Sequence, residues 1–378
     1  MYKIVVILPS PIQKTETFIR ALVQNLVSNS RFQFRFIYPS LIFNRDKFIS
    51  LIIAPLYLNR IYSFWKSKEG SDPLKKLIQT YINIEIITVK NVKVIHYLFS
   101  NLAVGKENLA KIIGAKMSIG LRGYDITFYA LNHPGSYSLE YWQNIDSIQY
   151  NSEDLYHWAL HWGANNSIPK RQITAAVDDE KILESVNVQK FDSRKILQLV
   201  FVGRLHWKKG IENLFEVLRL LKEENRSFAV HIIGDGPEKE KVLFLKERYA
   251  LEKQVCIHGK LSQTDIIPLL DESHIILAPS IQEGCSNVVL EAQARGLYCV
   301  VSDAEGMRTV VESEKTGSIH AYWDRIGMLN AILDYDNLGM DRKVEMANYT
   351  LSRVKGKFSR SQQLQHWNEY LENLCSTS

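Results

Sequence analysis

Residues 197–218 read LQLVFVGRLHWKKGIENLFEVL. The apolar run Leu197–Val202 predicts a strand, and Ile211–Lys222 has the apolar spacing of a helix. The loop between them is rich in glycine and basic side chains, which suit close approach to phosphate oxygens, although a solvated turn would have the same composition. A strand, a loop and a helix in this order predict one unit of a parallel sheet with helices on its faces.

Similar apolar runs recur along the chain in two series, separated by the polar, charge-rich stretch 178–194. The predicted strands are Lys3–Leu8, Phe32–Tyr38, Ile84–Val89, Val92–Ile95, Met117–Leu121 and Ser147–Tyr150, then Leu197–Val202, Phe228–Ile233, Val255–His258, His274–Ala278 and Tyr298–Ser302. Their alternation with helices predicts two doubly wound α/β domains, with a ligand in the cleft at the carboxyl ends of the strands. The amphipathic tail Ser359–Leu374 predicts a last helix that packs back on the body.

The composition excludes several classes of protein. The 378 residues are 46% hydrophobic and 23% charged, which is typical of globular proteins and not of disordered ones. No run reaches the roughly 20 apolar residues of a membrane span, and the first residues do not have the pattern of a signal peptide. The four cysteines have no metal-type spacing, so we expect neither a disulfide framework nor a zinc site, and a reducing cytoplasm fits best.

The charge is unevenly distributed. Residues 1–178 contain 20 Lys and Arg against 12 Asp and Glu, a net +8, whereas the remainder has 26 against 29, a net −3. A basic half indicates either a polyanionic neighbour or a solubilising surface. Residues 41–66 combine aromatic, aliphatic and basic side chains, which suits an interfacial helix on an anionic membrane or, alternatively, a helix pair packed against the first sheet.

Two further segments follow predicted strands of the second series. Residues 230–242, VHIIGDGPEKEKV, contain a G-D-G-P turn but lack the G-x-G-x-x-G spacing of a dinucleotide fingerprint, which counts against a nicotinamide-dependent oxidoreductase. Residues 276–303, ILAPSIQEGCSNVVLEAQARGLYCVVSD, place Glu283 in a loop and Glu291 one turn inside the next helix. Glu283 would then offset the helix dipole or meet a ligand, and Glu291 would bind a vicinal diol such as ribose or lie at the surface.

The G-R…K-G loop, the G-D-G-P turn and the pattern E-G-x6-E-A-x-A-x-G resemble, in this order, the retaining glycosyltransferases of family 4 with a GT-B fold. The likeness covers most of the chain and is strongest over residues 197–317. It implies two Rossmann-like domains facing a central cleft: an acceptor-binding domain over 1–180, a nucleotide-sugar-binding domain over 195–355, and a helix over 356–378 that returns toward the first domain. Gly123–Thr127 and Glu16–Ile19 resemble a subgroup that builds bacterial surface polysaccharides.

The resemblance also implies a role for individual residues. Arg204 and Lys209 would bind the donor diphosphate and stabilise the leaving group, and Glu283 would face the donor sugar. The implied donor-binding residues are Gly203, Gly284, Cys285, Ser286, Asn287 and Glu291. Since two cations already offset the diphosphate, we expect no metal and no cofactor, and the nucleotide-diphosphate sugar is the substrate.

The chain departs from the family pattern at two positions. Arg122 stands where the family usually has His before G-Y-D, and the H-x-H-F pattern appears as His96-Tyr97-Leu98-Phe99. Arg122 and His96 are therefore candidates for a sugar or phosphate contact. Alternatively, His96 is a core residue and Arg122 marks altered donor choice or reduced activity.

The resulting prediction is a sugar transferase that uses a nucleotide-diphosphate donor and a glycan or lipid-linked acceptor, in the cytoplasm and at the inner face of the plasma membrane. The alternative is a catalytically silent GT-B subunit that binds a partner transferase or a glycan. Nucleic-acid binding is not expected, because no recognised basic module occurs in the sequence.

Overall fold

The computed structural model describes residues 2–8, 31–37, 89, 91–192 and 196–376. The chain divides into two compact units. The first consists of Met1–Ile173 with Leu364–Ser378, and the second of Thr174–Gln363. The segment 178–194, which separates the two series of predicted strands, therefore belongs with the second unit. Its described part contains short 3₁₀ turns at Asp179–Lys181 and Val188–Phe191.

The first unit is built on a six-stranded parallel sheet. Its strands are β1 (Tyr2–Ile7), β2 (Phe32–Ile37), β3 (Val92–Tyr97), β4 (Lys116–Leu121), β5 (Ser147–Tyr150) and β6 (Lys170–Gln172), in the spatial order β2-β1-β3-β4-β5-β6. The described helices before residue 174 are α1 (Leu109–Ile113), α2 (Phe128–Asn132), α3 (Leu139–Gln143) and α4 (Glu153–His161). β4 and β5 are buried on both faces, and β4 is accordingly mostly apolar. In β5 the buried Ser147 and Gln149 side chains donate hydrogen bonds to backbone carbonyls.

The second unit repeats this architecture. Its strands are β7 (Leu197–Val202), β8 (Phe228–Ile233), β9 (Val255–Gly259), β10 (Ile275–Ala278), β11 (Tyr298–Ser302) and β12 (Gly317–His320), in the order β12-β11-β10-β7-β8-β9, all parallel. Its helices are α5 (Ile211–Glu223), α6 (Lys239–Arg248), α7 (Gln263–Glu272), α8 (Asn287–Gln293), α9 (Met307–Val310), α10 (Arg325–Asn337) and α11 (Met340–Lys357). One apolar core lies on each face of the sheet.

The last helix, α12 (Arg360–Ser376), buries its apolar stripe as predicted. Trp367, Leu371 and Leu374 pack with Ile4 and Val94 in a core of the first unit. Trp367 is only 2% exposed, so this helix is an integral part of that core.

The predicted class, two doubly wound parallel-sheet domains, is confirmed. Two strands were not predicted, β6 and β12, and both lie at the edge of a sheet. The predicted strand Ile84–Val89 lies outside the described residues except for Val89, as do the segments 41–66 and Glu16–Ile19. Among the described residues, none of the helices combines the length and the apolar character that crossing a bilayer requires.

Candidate functional site

The candidate site lies at one edge of the second sheet. Strands β11, β10, β7 and β8 are the four central strands of the second sheet, and they run parallel. The loops that follow them therefore meet at the same edge of the sheet. We call this the carboxyl edge, defined by the loops 203–210, 234–237, 279–286 and 303–306. In doubly wound sheets such an edge is where ligands bind.

Backbone hydrogen bonds join the first two loops. The amide of Gly203 donates to the carbonyl of Ile233 at 2.9 Å, and the amide of Leu205 donates to the carbonyl of Asp235 at 3.0 Å. The amide of Glu238 in turn donates to the carbonyl of Leu205 at 3.0 Å. The G-D-G-P turn therefore supports the basic loop instead of forming a separate feature.

The basic loop also packs closely on the loop after β10. Gly210 has φ +65°, and a Cβ there would lie 1.9 Å from the carbonyl oxygen of Pro279, so only glycine fits. The amide of Ile281 donates to the carbonyl of Lys208 at 2.7 Å. These contacts fix the position of Lys208 and Lys209 against the loop that carries Glu283.

Lys209 and Glu283 form an ion pair across these two loops. The Ser280 hydroxyl donates a second hydrogen bond to the same Glu283 oxygen at 3.0 Å. The side chains of Lys209 and Glu283 are 25% and 13% exposed, so the pair is shielded but still reachable from solvent. The sequence predicted both residues for the site, but it did not predict that they contact each other.

The neighbouring cations differ in their surroundings. Burial lowers the pKa of the Lys208 amine, and the charge of Lys209 acts in the same direction, whereas Glu283 and Glu305 oppose them. Arg204 is exposed, and it makes no hydrogen bond or ion pair with any residue that the structure describes. The guanidinium of Arg204 is thus available for an anion at the carboxyl edge.

The loop 284–287 leads into α8. Ser286 is the N-cap, and its hydroxyl accepts from the amide of Val289 at 3.5 Å. Gly306, with φ +81°, approaches so closely that a Cβ would lie 2.3 Å from the carbonyl oxygen of Gly284. Cys285 is half-buried and Asn287 is exposed. The loops after β10 and β11 therefore form one continuous surface.

Glu291 lies in α8 and faces α7. One of its oxygens accepts from the Gln263 side chain at 3.2 Å, and Lys181 donates to Gln263 at 2.9 Å and to Asp178 at 2.7 Å. Burial raises the pKa of the Glu291 carboxyl, and the positive charge of Lys181 opposes this shift. Glu291 also lines a small pocket together with Val177 and with side chains of α7. Lys181 and Gln263 lie outside the sequence motifs, so their position next to Glu291 was not predicted.

In the first unit, Arg122 is held by a network around the end of β4. Its guanidinium donates to the Leu98 carbonyl at 3.3 Å and to the Asn151 side chain at 2.6 Å, and it lies 5.9 Å from the Trp367 ring. The buried Asp125 carboxylate accepts from the amides of Arg122 and Gly123 and from both the amide and the hydroxyl of Ser100. Asp125 thus organises the loop that positions Arg122.

His96 is buried, 2% exposed, on β3. Its Nδ1 lies 2.8 Å from the Ser118 hydroxyl, and its ring meets the Trp367 ring edge-on at 5.2 Å. Burial, followed by the charge of Arg122, lowers the pKa of His96 to about 3. These surroundings are those of a neutral core histidine, the alternative considered from the sequence.

The sequence of this chain is similar to those of known glycosyltransferases. Residues 184–326 match the family model described as Glycosyl transferases group 1. A curated relative, the putative colanic acid biosynthesis glycosyltransferase WcaL of Escherichia coli (strain K12), is 27% identical over 196 residues. This alignment covers 48% of the present chain and 48% of the relative, so the chain matches about half the length of that protein.

Solved structures match over the whole chain. Sucrose-phosphate synthase from Thermosynechococcus elongatus has a TM-score of 0.74 at 15% identity, with all of both chains covered. Anabaena Alr3699/HepE in complex with UDP-glucose has a TM-score of 0.71 at 14% identity, covering 99% of this chain and 100% of the other.

The two parallel-sheet units and the loops at the carboxyl edge define a protein of the GT-B class. Within it, residues 184–326 match the model of the glycosyl transferases group 1, so the second unit carries the similarity to that family.

Proposed function

We propose that this chain is a retaining glycosyltransferase that moves a sugar from a nucleotide-diphosphate donor to a glycan or lipid-linked saccharide in the biosynthesis of a bacterial surface polysaccharide. The observation that carries the proposal is the ion pair between Lys209 and Glu283 at the carboxyl edge, where the loop of Lys209 also carries the exposed Arg204. The family match of residues 184–326 and the name of the WcaL relative support the reaction class and the pathway type.

The chemistry follows from the charges. Cleavage of the bond between sugar and diphosphate leaves negative charge on the departing phosphate, and fixed cations at that position lower the barrier. Arg204 offers a planar fork of donors, and Lys209 offers a point charge that Glu283 holds in place. Because these side chains already supply positive charge, we propose that the transfer needs no metal and no cofactor.

The remaining residues bind the donor. Glu291, with Gln263 against one of its oxygens, would accept hydrogen bonds from the two ribose hydroxyls. Glu283 would meet sugar hydroxyls, and the backbone of Gly203 and of Gly284–Asn287 would contact the sugar and the distal phosphate. The bound UDP-glucose of the Anabaena neighbour, which shares the fold, supports a nucleotide-diphosphate sugar as the ligand class.

The experiment is transfer by the purified chain alone. A panel of nucleotide-diphosphate sugars is incubated with lipid-linked saccharide acceptors, and the anomeric configuration of the product is determined by NMR. We expect transfer with the donor's configuration retained. An inverted product would refute retention, and an absence of both transfer and donor hydrolysis would favour the silent GT-B subunit, which the replacement of the usual His by Arg122 also motivates.

We also propose that the chain acts in the cytoplasm, at the inner face of the plasma membrane. The net +8 of residues 1–178 supports an anionic acceptor or membrane surface. Sedimentation with vesicles tests this location: we expect binding to anionic vesicles at low salt, weaker binding at high salt, and none to zwitterionic vesicles. Equal binding to both vesicle types would contradict it.

A further inference from the structure

Three side chains of the types that bind metal ions lie close together on one face of β8 and of the neighbouring edge strand β9. The strand register places His231 opposite Cys256. Because side chains alternate between the faces of a strand, Cys256 and His258 point to the same side of β9. The potential ligand atoms of His231, Cys256 and His258 all lie within 4.8 Å of one another.

The distances suit a small ion. His231 Nδ1 and His258 Nε2 are 2.9 Å apart and share a hydrogen bond. In a tetrahedral zinc site, bond lengths of about 2.0–2.1 Å to nitrogen and about 2.3 Å to sulfur separate two nitrogens by roughly 3.3 Å and a nitrogen from sulfur by roughly 3.6 Å. An ion would therefore take the place of the shared hydrogen bond with small rotations of the side chains.

We propose that His231, Cys256 and His258 bind a divalent transition-metal ion, Zn²⁺ by the chemistry of the donor set, with the fourth position open to water. Two imidazoles and one thiolate are borderline-soft ligands, which favour zinc over magnesium or calcium. Cys256 is exposed and β9 is the edge strand, so the ion reaches the site from solvent without unfolding. Binding releases the thiol proton, and each ring keeps a proton on its other nitrogen.

The position of the cluster gives the ion a structural role. His258 precedes Gly259, whose carbonyl accepts from the amide of Gly234 at 2.8 Å. Gly234 begins the G-D-G-P turn, and the register of β8 and β9 shifts at Ile232/Ile233, beside the cluster. An ion bound to both strands would fasten the edge strand at this irregularity, next to the loops of the carboxyl edge. This role is independent of the proposed transfer reaction.

The test uses the tag-free, full-length chain after removal of metal with a chelator. Titration with Co²⁺ should give visible bands of tetrahedral cobalt and a near-ultraviolet thiolate-to-cobalt band. Cys256→Ser should abolish the thiolate band, and His258→Gln should weaken binding by about 100-fold or more, since even changes around the ligands cost 10–100-fold. The matched control replaces the exposed His157 of α4: His157→Gln should bind Co²⁺ like wild type.

A second readout does not depend on the colour of cobalt. Zn²⁺ should raise the midpoint of thermal unfolding of wild type but not of Cys256→Ser, and calorimetry in two buffers should report about one proton released per ion. A wild-type chain without a thiolate band, or a band that persists in Cys256→Ser, would overturn the proposal. So would an equal zinc-dependent shift in both proteins.

Discussion

Replacing Lys209 by alanine is the sharpest perturbation of the candidate site. Loss of one fixed electrostatic contact to a transition state typically reduces turnover by about 10²–10³-fold. Because the Lys209 side chain is a quarter exposed, we expect the lower part of this range. The same change leaves Glu283, 13% exposed, without its cation beside an arriving diphosphate. Lys209→Ala should therefore lose affinity for the nucleoside diphosphate as well as turnover.

The pairing between Lys209 and Glu283 makes a stronger prediction for the double variant. Lys209→Ala/Glu283→Gln should bind the nucleoside diphosphate about tenfold more tightly than Lys209→Ala, because it no longer carries the unpaired negative charge. This tenfold difference corresponds to about 1.4 kcal/mol. Subtracting the effect of Glu283→Gln alone gives the coupling energy, which is roughly 0.5–3 kcal/mol for residues in contact. Isothermal titration with the diphosphate, which lacks the sugar, separates this effect from any contact of Glu283 with the sugar.

The control is Lys355→Ala, which removes an exposed ion pair with Glu184 in the same unit. It should change neither affinity nor turnover. Additive effects of Lys209→Ala and Glu283→Gln on diphosphate affinity would refute the reasoning, and so would wild-type turnover in Lys209→Ala.

The remaining predictions concern burial and close packing. Glu291→Gln should weaken donor binding by about tenfold or more through loss of charged hydrogen bonds, yet raise the midpoint of thermal unfolding near neutral pH. Burial raises the folded-state pKa of Glu291 above its unfolded value, so its ionisation costs stability as pH rises through that window; an unchanged or lower midpoint would contradict this. His96, with its pKa lowered to about 3, should show neutral ring nitrogen shifts by NMR from pH 5 to 8, and protonation within that range would be contrary to its burial. Gly306→Ala should lower the free energy of unfolding by about 1–3 kcal/mol in denaturant titration, because a Cβ there would clash with Gly284. The control Gly356→Ala lies in α11 with open space around it and should not be destabilising. Equal effects of the two substitutions would argue against the close contact between Gly306 and Gly284.

The central strands were predictable because strands buried on both faces are mostly apolar. β6 and β12 were missed for the opposite reason. Lys170 and Arg171 of β6 are exposed at the sheet edge, and the last three residues of β12 are only half-buried, so neither strand needs an apolar run. Hydrogen bonding to a neighbour makes these segments strands, and a single sequence does not display that neighbour.

The same limit applies to the candidate site. The motif order predicted Lys209, Glu283 and Glu291, because loops after adjacent parallel strands must meet at one edge. It did not predict that Lys181 and Gln263 lie next to Glu291, since these residues come from distant segments. The cluster of His231, Cys256 and His258 was missed because two of its members are related by strand register rather than by spacing along the chain, and the expectation that no zinc site exists rested on spacing alone.

The central claim is that the carboxyl edge of the second unit binds a nucleotide-diphosphate sugar. Thermal unfolding of the full-length chain with a panel of nucleoside diphosphates and their sugars tests it most directly, since a ligand at 100 times its dissociation constant adds about 2.7 kcal/mol to the free energy of unfolding. We expect one base to raise the midpoint of wild type and to have little effect on Glu291→Ala. A panel in which no nucleotide shifts wild type, or in which Glu291→Ala shifts equally, would contradict the account.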